Sequence, residues 1–226
     1  MQHKLVRCSI TFVMAVLFII ITLYTSIELV AYDDDFYRAQ YTENQTAEIT
    51  GFSVAQLMKI THEIQAFLKG DRESFDIRIE KGGHELTLFR SNEIQHMDDV
   101  QQLFTLGRRL RLGAAVLLAL IFLLVARHHL RGALRLLGWS ALTAIVILGL
   151  AGVAFAIDFN GMFVLFHQLA FTNELWYLDP RLSLLINLVP EAFFSACIFR
   201  IVFFTGGMLL VVGLLGFLLG KKLQNK

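Results

Sequence analysis

The chain has 226 residues, 56% of them hydrophobic and 20 of them Phe, with a formal net charge of only +1 and a mean hydropathy of +0.60. That composition excludes an ordinary soluble domain, and the charge balance offers nucleic acid no basic face. Cys8 and Cys197 lie in or beside apolar runs without metal-type spacing, so neither a disulfide nor a cysteine metal site is expected.

Four apolar runs reach the roughly 20 residues that a bilayer crossing needs. In chain order these are Ser9–Ala31, Leu110–Ala126, Leu136–Ile157 and Ala192–Gly220. The first follows Lys4 and Arg7 but exceeds a signal-peptide core, and "SIELVAYDDD" is a poor cleavage site, so it reads as an uncleaved helix. The expected fold class is an α-helical integral membrane protein with four transmembrane helices and a small α/β extracytoplasmic cap between helices 1 and 2. The expected divisions are 1–31 (first helix), 32–105 (cap), 106–157 (helices 2 and 3), 158–191 (an aromatic interfacial segment) and 192–226 (last helix and tail).

Charge orients the chain. The N-terminus (Lys4, Arg7), the loop "ARHHLRGALR" (Arg127, Arg131, Arg135) and the tail (Lys221, Lys222, Lys226) hold basic residues and no acid. By the positive-inside rule that side is cytoplasmic. Arg108, Arg109 and Arg111 form a basic exception at the outer start of helix 2, to be neutralised by the acidic cap or met by lipid headgroups.

The cap is acidic, with 14 Asp and Glu against seven Lys and Arg between Asp33 and Asp99. "SVAQLMKITHEIQAFLKG" opens with a Ser53-x-x-Gln56 capping box and closes on Gly70. Val54, Leu57, Met58, Thr61, Ile64, Phe67 and Leu68 make its apolar stripe, so an amphipathic helix is predicted. "FDIRIEKGGHELTLF" alternates around Gly82-Gly83, the pattern of a β-hairpin. Ser91 is placed to cap the helix that leads into the second apolar run. Further on, 158–191 is too aromatic for a plain loop, and Pro190 is expected to start or kink the last helix.

Seven histidines are the candidate chemistry. His3, His128 and His129 fall among cytoplasmic basic residues, and His62 and His84 read as solvated cap surface. His96 sits in "SNEIQHMDDVQQLF", three residues from Asp99 on a shared helical face, where a carboxylate holds one ring nitrogen and leaves the other to act. His167 sits in "FVLFHQLAF", four residues from Phe163 and from Phe171, in apolar surroundings that favour a neutral imidazole. For each of the two, spacing alone is also met by a plain structural histidine. Zincin, Cys-x-x-Cys, Walker and nucleophile-elbow motifs are absent. Glu28, Asp158, Asn173, Glu174, Asp179 and Glu191 match no standard metal spacing.

"EIQHMDDV" (Glu93–Val100) and "FVLFHQLAFTNELWYLDP…LLINLVPEAFF" (Phe163–Phe194) together resemble the two motifs of the lipoprotein intramolecular transacylases, small four-helix bacterial membrane proteins. The resemblance extends to the order of spans, with the cap between helices one and two, and departs at Ser183, where an acid is the commoner residue. It implies transfer of the sn-2 acyl chain of a diacylglyceryl lipoprotein to the α-amine of its N-terminal cysteine. The partners would be such lipoproteins and membrane lipid, with no cofactor and no metal, in a bacterial plasma membrane with both termini cytoplasmic; the oligomeric state stays open, a monomer included. His96 and His167 match the family's two catalytic histidines. His96 backed by Asp99 is the expected base, the reverse assignment remaining open. Asp99, Asp158, Phe163, Phe166, Phe171, Asn173, Trp176 and Glu191 are the expected orienting and substrate-positioning residues, with Asn173 or Trp176 as the expected oxyanion donor. Two other classes compete: a non-catalytic sensor or chaperone binding lipid or peptide through its cap, and a metal-dependent membrane hydrolase.

Overall fold

The computed structural model describes residues 2–81 and 84–223. The Gly82-Gly83 turn and Lys226 lie outside the described residues, as do the side chains of His3 and His84. In chain order the elements are α1 (Gln2–Ala31), α2 (Asp34–Glu43), α3 (Thr46–Thr50), α4 (Val54–Lys69), β1 (Arg78–Lys81), β2 (His84–Thr87), α5 (Ser91–Ile157), α6 (Phe159–Ala170), α7 (Leu184–Leu188) and α8 (Glu191–Lys222). They divide into two compact units. The first comprises Met1–Glu28, Gly107–Ile157 and Phe199–Lys226, and the second Leu29–Leu106 and Asp158–Ile198.

The first unit is helical. Among the described residues three helices are long and apolar enough to cross a membrane: α1, α5 and α8. A straight helix of 67 residues would measure about 100 Å, over three times the roughly 30 Å of a hydrocarbon core. α5 is not straight: His129 leaves helical geometry at φ −157°, ψ 76°. The chain folds back there, because Leu118 of the first arm joins the same apolar cluster as Leu137, Ala144, Ile145 and Leu148 of the second. Ala15, Phe18 and Ile19 of α1 and Leu209 and Val212 of α8 complete that cluster. Four helical segments therefore share one core, as four apolar runs require.

Small residues set how closely those segments pack. A Cβ on Gly216 of α8 would stand 2.7 Å from both the Leu134 carbonyl oxygen and the Gly138 nitrogen of α5. Backbone meets backbone at that point, the packing that apolar helices use in place of a hydrophobic driving force. Two buried hydroxyls form a chain between helices: Thr205 donates to Ser26 at 2.8 Å, and Ser26 donates to the Thr22 carbonyl at 2.9 Å.

The second unit holds the hairpin and the shorter helices. α4 carries the complete Ser53/Gln56 capping box and ends on Gly70 at φ +89°. Leu57, Met58, Ile60, Thr61, Ile64, Phe67 and Leu68 are buried along its inner face. Phe67 packs on Phe75 and Phe75 on Phe89, at centroid distances of 5.2 and 4.7 Å. The hairpin pairs Arg78 with Thr87, Ile79 with Leu86 and Glu80 with Glu85 in antiparallel register. Pro190 precedes α8, as expected. α2, α3, α6 and α7 are additional to the predicted elements. α2 is capped by Asp33 and buries Phe36, Tyr37, Gln40 and Tyr41, and the Tyr41 hydroxyl meets Thr61 of α4 at 2.6 Å.

The close approach at Gly216 makes a prediction. Gly216→Ala lowers the thermal unfolding midpoint in detergent by the equivalent of about 1–3 kcal/mol of overpacking. Gly149→Ala, where a Cβ meets nothing within 4 Å, leaves it unchanged or raises it. Equal midpoints for the two variants would contradict the packing.

Candidate active site

α6 begins at Asp158, whose carboxylate accepts from the Gly161 amide at 2.8 Å. Residues four apart then share a face. Phe159 and Phe163 rings lie 6.0 Å apart, and Phe163 and His167 rings 4.2 Å apart. One turn back from His167, the Phe163 carbonyl lies 2.7 Å from its Nδ1. A carbonyl only accepts, so Nδ1 carries the hydrogen and donates it. The neutral ring is thereby held as one tautomer with the lone pair on Nε2. Burial also holds the imidazole below its ordinary pKa, because desolvation disfavours the imidazolium; the Phe163 hydrogen bond opposes this more weakly.

His96 comes from the second turn of α5 and, like His167, is only 8% exposed. The two rings lie 6.2 Å apart between centroids. Phe171, the residue that ends α6, packs on both, 5.1 Å from His96 and 5.5 Å from His167. Trp176 lies 5.0 Å and Phe166 5.3 Å from His167. Two imidazoles thus share an aromatic enclosure built from α5, α6 and the segment after α6. Its rings supply shape and low polarity, and the two histidines supply the groups able to move protons.

Two expectations about individual partners need correction. Asp99 does not hold His96 by a hydrogen bond: its carboxylate accepts from the Asn173 amide at 2.8 Å, while the buried His96 Nδ1 has no hydrogen-bond partner among the described residues. Asn173 is therefore committed to architecture, since its side-chain oxygen also accepts from the Leu175 amide at 3.0 Å. The Asp99–Asn173 bond pins the start of the segment that carries Trp176. Nor does Ser91 cap α5. It is the first helical residue, and its hydroxyl accepts from the Gln95 side chain at 3.0 Å. Asp158 and Glu191 lie away from the imidazoles: Asp158 caps the far end of α6, roughly 13 Å of helical rise from His167, and Glu191 accepts from Asn160 at that same end. Among the described residues no three His, Cys, Asp or Glu side chains are grouped to hold a metal ion.

Glu93 is the residue that sequence reasoning missed. It has no exposed surface. One carboxylate oxygen accepts from the Ser183 hydroxyl at 2.6 Å and the Leu185 amide at 2.8 Å, and the other accepts from the Arg90 amide at 2.7 Å. The last bond is the returning half of a capping box, a Glu at the third helical position reaching back to the cap residue. That spacing, Arg90 to Glu93, was the available signal. Ser183 in turn accepts from the Ile186 amide at 3.3 Å and so caps α7.

With this geometry in place, comparison with known proteins is decisive. The family described as "Lipoprotein intramolecular transacylase Lit" matches residues 12–194. The chain belongs to that family. No curated protein sequence matches it. Solved structures of the membrane-integral lipoprotein intramolecular transacylase Lit from Bacillus cereus share its fold, with a TM-score of 0.78 at 20% identity over 100% of both chains. The same protein carrying a histidine-to-arginine substitution gives 0.77 at 18% identity over 100% of this chain and 97% of the other, and a histidine-to-alanine form gives 0.78 at 18% over 100% and 98%. At these identities the structures establish the fold of this family member.

Two predictions follow from the site. In a histidine-labelled NMR titration, the signal lost in His167→Gln has its midpoint below 6.5, the ordinary imidazole value; a midpoint at or above 6.5 contradicts the burial argument. Glu93→Ala strands two buried donors and lowers stability by about 3 kcal/mol, read as a depressed unfolding midpoint, whereas Glu85→Ala on the exposed hairpin face has little effect.

Proposed function

We propose that this protein is an intramolecular O-to-N acyltransferase. It moves the sn-2 acyl chain of an S-diacylglyceryl lipoprotein onto the α-amine of the N-terminal cysteine, leaving an N-acyl, lyso-form product. The observation that carries this reading is the pair of buried imidazoles 6.2 Å apart inside an aromatic enclosure, in a chain of this family. In the same reading the four helical segments cross the plasma membrane four times with both termini cytoplasmic. The site then faces the outer surface, a few turns of α5 before the apolar run that opens at Leu110.

The chemistry needs positioning first. Amine, Cα, Cβ, sulfur, two glycerol carbons, ester oxygen and acyl carbon close a ring of about eight atoms, and rings of that size close reluctantly. Phe163, Phe166, Phe171 and Trp176 supply rigid walls to hold the two ends of one molecule together. No cofactor is required, because nucleophile and ester belong to the same substrate.

Proton flow takes its direction from the one fixed tautomer, that of His167. The substrate enters as an ammonium and first gives one proton to His96. The freed amine attacks the ester carbon, the C–N bond forms, and His167 Nε2, the lone-pair nitrogen, takes the second proton. As the acyl–oxygen bond breaks, His96 returns its proton to the glycerol oxygen. His167 then releases a proton to solvent, so the net reaction turns ammonium and ester into amide, alcohol and one proton. His96 keeps the ammonium deprotonation expected of it, while the proton released on C–N bond formation goes to His167, a division supported by the Phe163 carbonyl, which fixes the His167 ring, and by the engagement of Asp99 with Asn173.

Mass spectrometry of lipoprotein N-termini tests the proposal. Active protein leaves total lipopeptide mass unchanged while relocating one acyl chain to nitrogen. His96→Gln and His167→Gln each lower the rate by about 10²–10⁴. A gain of one acyl mass would mean intermolecular transfer, a loss would mean hydrolysis, and full activity in both variants would falsify the two-histidine mechanism.

A further inference from the structure

The three arginines at the start of the second apolar run are not used by the chemistry above, and they are not equivalent. Arg111 is fixed: its guanidinium lies 2.6 Å from Glu28 of α1 and 5.1 Å above the Tyr24 ring. Arg108 approaches the other Glu28 oxygen at 3.9 Å. Packing fixes that region as well, because a Cβ on Gly107 would fall inside the Tyr24 ring. Glu28 thus ties the end of α1 to α5 at the level where both apolar runs stop. One carboxylate faces two guanidinium groups, and a third, on Arg109, has no acid opposite it among the described residues.

Arg109 lies on another face. It is exposed and makes no ion pair among the described residues. Leu112 and Val116, three and seven residues further along, share its face and are 69% and 53% exposed. An exposed apolar stripe on a membrane-crossing helix faces lipid, so Arg109 sits at the polar end of a lipid-facing stripe. A long basic side chain there extends toward the headgroups. The planar fork of a guanidinium matches a phosphodiester bidentately, and the surplus of positive charge beside it repels headgroups that carry an ammonium.

We infer that Arg109, with Arg108 and Arg111 raising the local positive potential, forms a binding site for the phosphate of an anionic glycerophospholipid. The expected substrate lipid carries no phosphate, so this site is separate from catalysis. It anchors the protein at a depth where the positive-inside rule disfavours basic residues.

Native mass spectrometry of the full chain in detergent, with added phosphatidylglycerol or phosphatidylcholine, tests the site. Wild type prefers phosphatidylglycerol, and Arg109→Gln lowers the ratio of the two adducts about fivefold, as expected for one basic residue at a membrane surface. Arg109→Lys keeps part of the preference, and Lys221→Gln at the opposite end of the bundle changes it much less. An unchanged ratio in Arg109→Gln, or equal losses from Arg109→Gln and Lys221→Gln, would overturn the site, because net charge alone would then account for binding.

Discussion

A carboxylate with no exposed surface must have its lone pairs filled, and in this protein that constraint organises the site. Glu93 accepts three hydrogen bonds, from Arg90 on its own strand of chain and from Ser183 and Leu185 far along it. The bonds fix where α5 begins and where α7 begins in one stroke. His96 stands one turn further along the same helix, so its ring inherits the precision of the clasp. A buried charge satisfied in this way tolerates little displacement, since losing a donor exposes the full desolvation cost.

The second histidine is held by different means. His167 is fixed within its own helix by the carbonyl one turn back, and its helix is started by Asp158. The aromatic side chains then do two things at once. They exclude water, which keeps the imidazole neutral, and they leave the lone pair of Nε2 as a proton acceptor. The Asp99–Asn173 bond serves the wall rather than the ring: it secures the segment from which Trp176 reaches His167. Function in this reading comes from restricting one flexible substrate between two rings held by independent supports.

How much of this was legible depended on distance along the chain. The apolar runs, α4 and the hairpin were readable because their signals are local: composition, a Ser53/Gln56 box, a period-two alternation. α2 was not, because its buried face mixes Phe36, Tyr37 and Tyr41 with the polar Gln40, and α7 is a single turn. Asp99 was rightly placed on the His96 face, but spacing cannot reveal a competitor 74 residues away, and Asn173 takes the carboxylate. The partners of Glu93 lie 90 and 92 residues off, so only its reach back to Arg90 was written locally. That the two histidines share one enclosure is likewise tertiary, and the motif resemblance, not periodicity, pointed to it.

The central claim is that one substrate lies between the two rings with its amine on the His167 side. The most direct measurement is a structure of the protein bound to a diacylglyceryl-cysteine peptide whose sn-2 ester is replaced by an unreactive ether. The account predicts the α-amine within hydrogen-bond reach of His167 Nε2 and the sn-2 glycerol oxygen within reach of His96. An analogue seated with both groups outside the aromatic enclosure, or with its amine against His96 alone, would contradict it.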